Sequence, residues 1–226
     1  EGLRYGAYVL SPTQFIPVEH AGWAQRVKLA APSAVVGAAL GLAAETELSV
    51  SEILPWGVPS VPEQVLNKSE YLQLIAPEWS PGKPTIITPI QNAPKVCAAL
   101  SRCDKVRAVF VGAPADKELL LNTFSLTPEH IAFTTAKHVW NAADIYLSLE
   151  PYTAWPWDVI KALSMSIPTM VPNAHVYQTL IAKKFALPVD AFDTCNTNGL
   201  AYTSNSTDIA NAVETFLSNK HKAYAL

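Results

Sequence analysis

Lys95 stands directly after Pro94 at the expected start of a helix, where an ammonium group and a helix amino-terminus together suit a diphosphate. The plainer alternative is a solvated surface lysine. Glu150 follows a short apolar run, at the carboxyl end of an expected strand, where a carboxylate more often meets a ligand than the core. Asp158 heads an apolar segment and reads as an N-cap or first-turn acid. Between these two acids, Tyr152, Trp155 and Trp157 offer faces that can stack on a base or sugar ring, although packing under a proline-rich loop is the favoured reading. His138 and His175 fall in connecting segments and His20 lies nearer the start; without a partner carboxylate, each defaults to a loop position over acid–base work. Asp208 and Glu214 read as solvated positions of the last helix. Cys97, Cys103 and Cys195 are odd in number and lack zinc-site spacing, so they read as thiols of a reducing compartment.

The composition sets the outer limits. Of 226 residues, 50% are hydrophobic and 15% charged, which supports a buried core and excludes general disorder. The length fits one large domain, or one domain with part of another. A net charge of −3 excludes nucleic-acid binding driven by bulk electrostatics. No run approaches the roughly 18 apolar residues of a membrane span, and no basic segment followed by an apolar one opens the chain. A cytoplasmic protein is therefore expected, and the sequons at Asn67 and Asn205 read as chance. Glycine is scarce, at 9, and proline abundant, at 18. The chain opens at Glu1 without a methionine, and the expectation is a fragment of a longer protein or a processed product.

The elements that must position these residues follow from apolar runs and breakers. Strands are predicted at 5–10 and 51–54, a short apolar piece at 28–31, and an Ala/Val-rich helix after Pro32 with Ser33 as its N-cap. Residues 58–84, punctuated by proline and without periodicity apart from Tyr71 to Ile75, read as a linker or irregular connection. Beyond Pro84 the pattern turns regular. Strands are predicted at 85–88, 106–111, 130–133, 145–148, 169–171 and 200–203. Helices are predicted at 94–100, 116–125, 137–143, 158–166, 177–185 and 207–218. This alternation is that of an α/β, Rossmann-like parallel sheet with helices on both faces. Ligands bind such a sheet at the carboxyl ends of its strands, so the loops at 89–94, 112–116, 134–138, 149–158 and 172–176 are the ones to examine.

Six motifs then fall in one register. Ala31-Pro32-Ser33, the segment Ile53-Leu54-Pro55-Trp56-Gly57-Val58, the strand and turn Val109-Phe110-Val111-Gly112, the stretch from Asn141 to Ser148, that from Ala162 to Pro168, and Gly199-Leu200 with Asp208-Ile209-Ala210 share an order and spacing. Together they resemble the carboxyl-terminal half of GT-B-fold glycosyltransferases of the retaining, family-4 type, over about residues 29–218. The resemblance implies that residues 1–59 are the end of an acceptor-side domain with its connection. It implies that residues 60–226 are a Rossmann-like donor domain binding a nucleotide-diphosphate sugar, with transfer to a hydroxyl of a glycan, lipid or protein. It implies no metal and no resident cofactor, the nucleotide sugar being substrate. Its frame puts donor-binding positions on Lys95, Gly112, Thr153 and Lys161; Glu150, by its place at a strand's carboxyl end, and Tyr152, by its ring, are expected to join them, and no catalytic residue is assigned.

The same frame exposes departures. The family's diphosphate arginine falls on Ile90, its paired glutamates on Thr153 and Lys161, and two of its glycines on Pro156 and Ser166. A shifted frame offers Glu150 and Asp158 at the same interval but loses the match to the helix behind them. A lysine cannot accept hydrogen bonds from a ribose, and an isoleucine cannot neutralise phosphate. A second expectation therefore stands beside the first: a catalytically degenerate GT-B-like module serving as a binding or partner subunit.

Overall fold

The computed structural model describes residues 6–8, 28–31, 50–53, 67–113, 116–135, 138–150, 156–174, 177–196 and 199–219; at 6–8, 28–31, 50–53, 193–196 and 199–202 the description is of backbone alone. The chain divides into two compact units, residues 1–59 with 152–157, and residues 60–151 with 158–226. Within the first, β1 (Gly6–Tyr8), β2 (Lys28–Ala31) and β3 (Val50–Ile53) form a parallel three-stranded sheet in chain order. The expected helix after Pro32 and the segment holding His20 lie outside the described residues.

In the second unit, short apolar runs become strands because both of their faces are covered. β4 (Thr85–Pro89), β5 (Arg107–Val111), β6 (Ile131–Thr134), β7 (Ile145–Leu147), β8 (Thr169–Pro172) and β9 (Ala186–Val189) form one parallel sheet in the order β6-β5-β4-β7-β8-β9. The six-stranded sheet with helices on both faces is the α/β architecture expected. Side chains alternate across it. Ile86, Phe110, Ile131, Ile145 and Met170 face α2 (Ala93–Leu100) and α6 (Ser206–Ser218), meeting Val96, Leu100, Ile209 and Phe216. Ile87, Val109, Ala132, Tyr146 and Val171 face the other way, toward α1 (Lys68–Ile75) and α4 (Trp157–Ser164). Each fully buried Ile, Leu or Phe contributes about 2 kcal/mol, and Phe110→Ala would cost about 4 kcal/mol by leaving a cavity between sheet and helices.

Two stretches differ from expectation. Residues 58–84 contain α1, an eight-residue helix fixed by a capping box: Asn67 Oδ1 accepts from the Glu70 N–H at 2.9 Å, and Glu70 Oε2 accepts from the Asn67 N–H at 3.2 Å. The periodic stretch Tyr71 to Ile75 lies inside it, and its buried pair, Tyr71 and Leu72, is too little to outweigh the surrounding prolines in a pattern reading. Residues 200–203 are not a strand of the parallel sheet. β11 (Gly199–Thr203) pairs antiparallel with β10 (Phe192–Asn196), and the sixth parallel strand is β9. Pro188 hides β9 from a pattern reading, yet an edge strand admits a proline because its outward N–H has no partner to lose.

The helix ends also follow the chain's composition. α3 (Lys117–Phe124), α4 and α5 (Gln178–Ala182) are each followed by a residue in the left-handed region, Ser125, Ser166 and Lys184, at φ 53°, 57° and 61°. The next amide closes each turn: Leu126 N–H to Leu121 O, Ile167 N–H to Ala162 O, and Phe185 N–H to Leu180 O, all at 2.9 Å. These are Schellman caps, in which glycine is the usual left-handed residue. The expected helices at 137–143 and 177–185 shorten to a 3-10 turn (Val139–Ala142) and to α5. Asp208, expected to be merely solvated, completes a capping box with Asn205 at the start of α6.

Candidate functional site

Chain order reverses between β4 and β7, and the two are fastened there. Thr88 Oγ1 donates to Leu147 O at 2.8 Å and accepts from Asn92 Nδ2 at 3.0 Å, all buried. On β7, Ser148 is buried, and the Tyr177 hydroxyl lies 3.4 Å from its Oγ while donating to Glu150 O at 2.7 Å. Burial pushes the Tyr177 phenol up to about 12. The crevice at the carboxyl ends is thus built on fixed backbone.

A pocket of about 680 Å³ opens at those ends. Pro89 and Gln91 come from the end of β4 and the 3-10 turn after it; Val111 ends β5, and Thr135 follows β6. The turn after β6 supplies Val139 and Trp140, with exposed His138 beside them. Tyr146 rises from β7, and α4 contributes Asp158 and Lys161, three residues apart and therefore on one face. Lys161 Nζ stands 5.1 Å from the centre of the Trp140 ring, a cation–π contact. Trp140 in turn meets Tyr146 at 5.0 Å and 51°. Burial raises the Tyr146 phenol, and the Asp158 carboxylate, which accepts its hydrogen bond, raises it further. The pocket thus offers an aromatic wall, a carboxylate acceptor, an ammonium donor, an imidazole and an amide. Such a set suits a polar molecule bearing a ring and hydroxyl groups. Lys161 is the sole lysine or arginine among the described residues lining it.

No model of a known protein family matches the sequence, and no curated protein does. The likeness to known proteins is one of shape. Over 98% of its length the chain matches 64% of Alr3699/HepE from Anabaena, solved in complex with UDP and glucose, at a TM-score of 0.65 and 14% identity. Over 88% it matches 56% of WaaG, a glycosyltransferase involved in lipopolysaccharide biosynthesis, at a TM-score of 0.64 and 16% identity. Over 98% it matches 48% of a chain from the GtfA/B complex, at a TM-score of 0.66 and 8% identity. These neighbours are GT-B glycosyltransferases. Over the part it spans, the chain has the Rossmann-like α/β fold of these GT-B neighbours. It spans less than two thirds of each of these three chains, and at such identities the agreement is of backbone path.

Within that GT-B frame the six expected donor-binding positions part company. Lys161 lines the pocket. Gly112 follows Val111 of its wall, at φ 151°, and lies against Ile90. Glu150 is exposed just past β7, its backbone oxygen held by Tyr177. Lys95 lies on α2, whose apolar residues pack on the sheet face away from Tyr146; its Nζ donates to Thr203 Oγ1 at 2.5 Å, and it is not a lining residue. Tyr152 and Thr153 lie outside the described residues, as do Trp155 and His175. Trp157 is 41% exposed, against the packing role favoured for it. Asp158 is a first-turn acid, as read, and a pocket residue as well. Trp140, Tyr146 and Gln91 were not singled out. Trp140 falls in the helix expected at 137–143, just past the loop 134–138, and no local signal pointed to it.

Proposed function

We propose that this chain is the donor-binding part of a retaining GT-B glycosyltransferase, which transfers a sugar from a nucleotide diphosphate to a hydroxyl acceptor. The carrying observation is a polar, aromatic-walled pocket at the carboxyl ends of the strands, beside the β4–β7 reversal, in the GT-B fold. Trp140 and Tyr146 supply surface for a ring, and Asp158 accepts from hydroxyl groups. The nucleotide sugar is substrate, with no resident metal or cofactor, and the setting is cytoplasmic, in keeping with the buried free thiols Cys97 and Cys103. Transfer itself is a property of the longer protein in this reading, with residues 1–59 contributing to the acceptor side.

Titration of the chain with UDP by calorimetry tests the reading. Saturable binding is expected, weakened about ten-fold by Asp158→Ala, since one charge-assisted hydrogen bond is lost. Binding indifferent to that change moves the ligand out of this pocket.

A second reading has its own support. Ile90 occupies the arginine position, Lys161 replaces a carboxylate acceptor, and Lys95 is engaged by Thr203. These favour a degenerate module acting as a partner subunit. Absence of UDP binding at millimolar concentration, with a stable hetero-oligomer in cells, is the outcome that selects it.

A further inference from the structure

A second pocket, of about 580 Å³, lies at the opposite edge of the parallel sheet, where β4 and β5 begin. Its lining contains Lys68 of α1, Lys83 just before β4, and Arg107, the first residue of β5. The one carboxylate among the described lining residues, Asp144, is already engaged: it pairs with Lys68 and accepts from the Thr85 N–H at 2.7 Å. Three cations against one carboxylate leave two positive charges in excess, in a chain whose net charge is −3.

Arg107 is the unusual member. It is only 4% exposed, yet no carboxylate stands within ion-pair distance of it among the described residues. Its guanidinium carbon lies 4.4 Å from the centre of the Trp79 ring; Nε donates to Thr85 Oγ1 at 3.2 Å and Nη1 to Ser80 O at 2.7 Å. Burial pulls its pKa down, and the more distant Asp144 and Glu129 restore it in part. A guanidinium has five N–H donors; neutral acceptors take two of its nitrogens here and no carboxylate offsets its charge. Leu72, Trp79, Pro81 and Pro84 give the same pocket an apolar wall.

We propose that this basal pocket is a second ligand site, separate from the carboxyl-end crevice, for a small phosphorylated molecule. Its phosphate takes the fork of Arg107 and the ammonium of Lys83, whose two charges match the roughly two negative charges of a phosphomonoester near neutral pH. Its organic part lies along Trp79 and Leu72.

The test is a two-dimensional amide NMR titration of the full chain with glucose 6-phosphate, with inorganic phosphate, and with sodium chloride at matched ionic strength. Saturable shifts centred on Ser69, Lys83 and Arg107 are expected. Tighter binding of the ester assigns the site to an organic phosphate, and equal binding assigns it to free phosphate. Lys83→Ala is expected to weaken binding about five-fold, while Lys161→Ala in the other pocket leaves it unchanged. Arg107→Gln should abolish binding; because that change touches the core, Lys83→Ala, at the rim, keeps the test decisive if the variant does not fold. Shifts that fail to saturate and that chloride reproduces, or binding untouched by Lys83→Ala, overturn the proposal.

Discussion

Gly112 and Ile90 occupy one space: a Cβ on Gly112 would stand 2.5 Å from Ile90 Cγ2 and 2.9 Å from Ile90 Cβ. The end of β5 thus closes on the turn after β4 only because one residue lacks a side chain. Gly112 is also at φ 151°, where side chains are strained. Gly112→Ala is expected to cost about 3 kcal/mol. In the double change with Ile90→Ala the clash with Cγ2 is removed while the approach to Cβ stays, so part of the steric cost is relieved and urea unfolding should return a coupling energy of about 1 kcal/mol. Strict additivity would show that the two side chains do not compete.

Ser166→Gly should stabilise the protein. Ser166 is exposed and held at φ 57° by the cap that ends α4, a conformation that disfavours any residue with a Cβ. Relief of that strain, less the added freedom of the unfolded chain, is expected to be about 0.5 kcal/mol. A rise in Tm of about 1–2 °C checks it; a fall would mean that the serine side chain holds the turn.

Tyr177→Phe removes the donor to Glu150 O and should cost about 1 kcal/mol. The local effect is the more telling one. Amide hydrogen exchange at Glu150 should accelerate, since the segment after β7 loses its anchor. Unchanged exchange there would place the anchor elsewhere.

Alkaline pH should weaken the fold in a defined window. Burial pushes the Cys97 thiol from 9.0 to about 12 and the Tyr177 phenol from 10.0 to about 12. Both pKa values are raised in the folded state, so the unfolded chain gives up these protons first. The stability they contribute is complete below about pH 9 and is lost as pH rises through 12. Urea midpoints should therefore hold to pH 9 and then fall, and in Cys97→Ala the fall should begin nearer pH 10. A midpoint already falling between pH 7 and 9 would require another group.

How far the fold could be read ahead depended on burial. β4, β5 and β7 are covered on both faces, so each shows as an unbroken apolar run such as Ile86-Ile87 or Ile145-Tyr146-Leu147. β9 is an edge strand carrying Pro188 and leaves no periodic trace, while α1, resting on a capping box and two buried side chains, leaves only the short one at Tyr71 to Ile75. The pocket was legible as a set of loops, because the carboxyl ends follow from strand direction alone. Its side chains were not. Lys161 came from motif register, whereas Trp140 and Tyr146 lie in the pocket because the turn after β6 folds back toward β7, a long-range contact without a local pattern.

The closing helix sets a constraint on the order of synthesis. Ile209, Val213 and Phe216 of α6 belong to the same core as Ile86 and Phe110 at the middle of the sheet, although about a hundred residues or more separate them along the chain. While the chain is being made, the part of that face that α6 covers stays open until residue 216 or so has left the ribosome. The middle of this sheet is therefore among the first parts translated in its unit and among the last shielded from water, and during that interval it is the surface on which a nascent chain would first aggregate or be held by a chaperone.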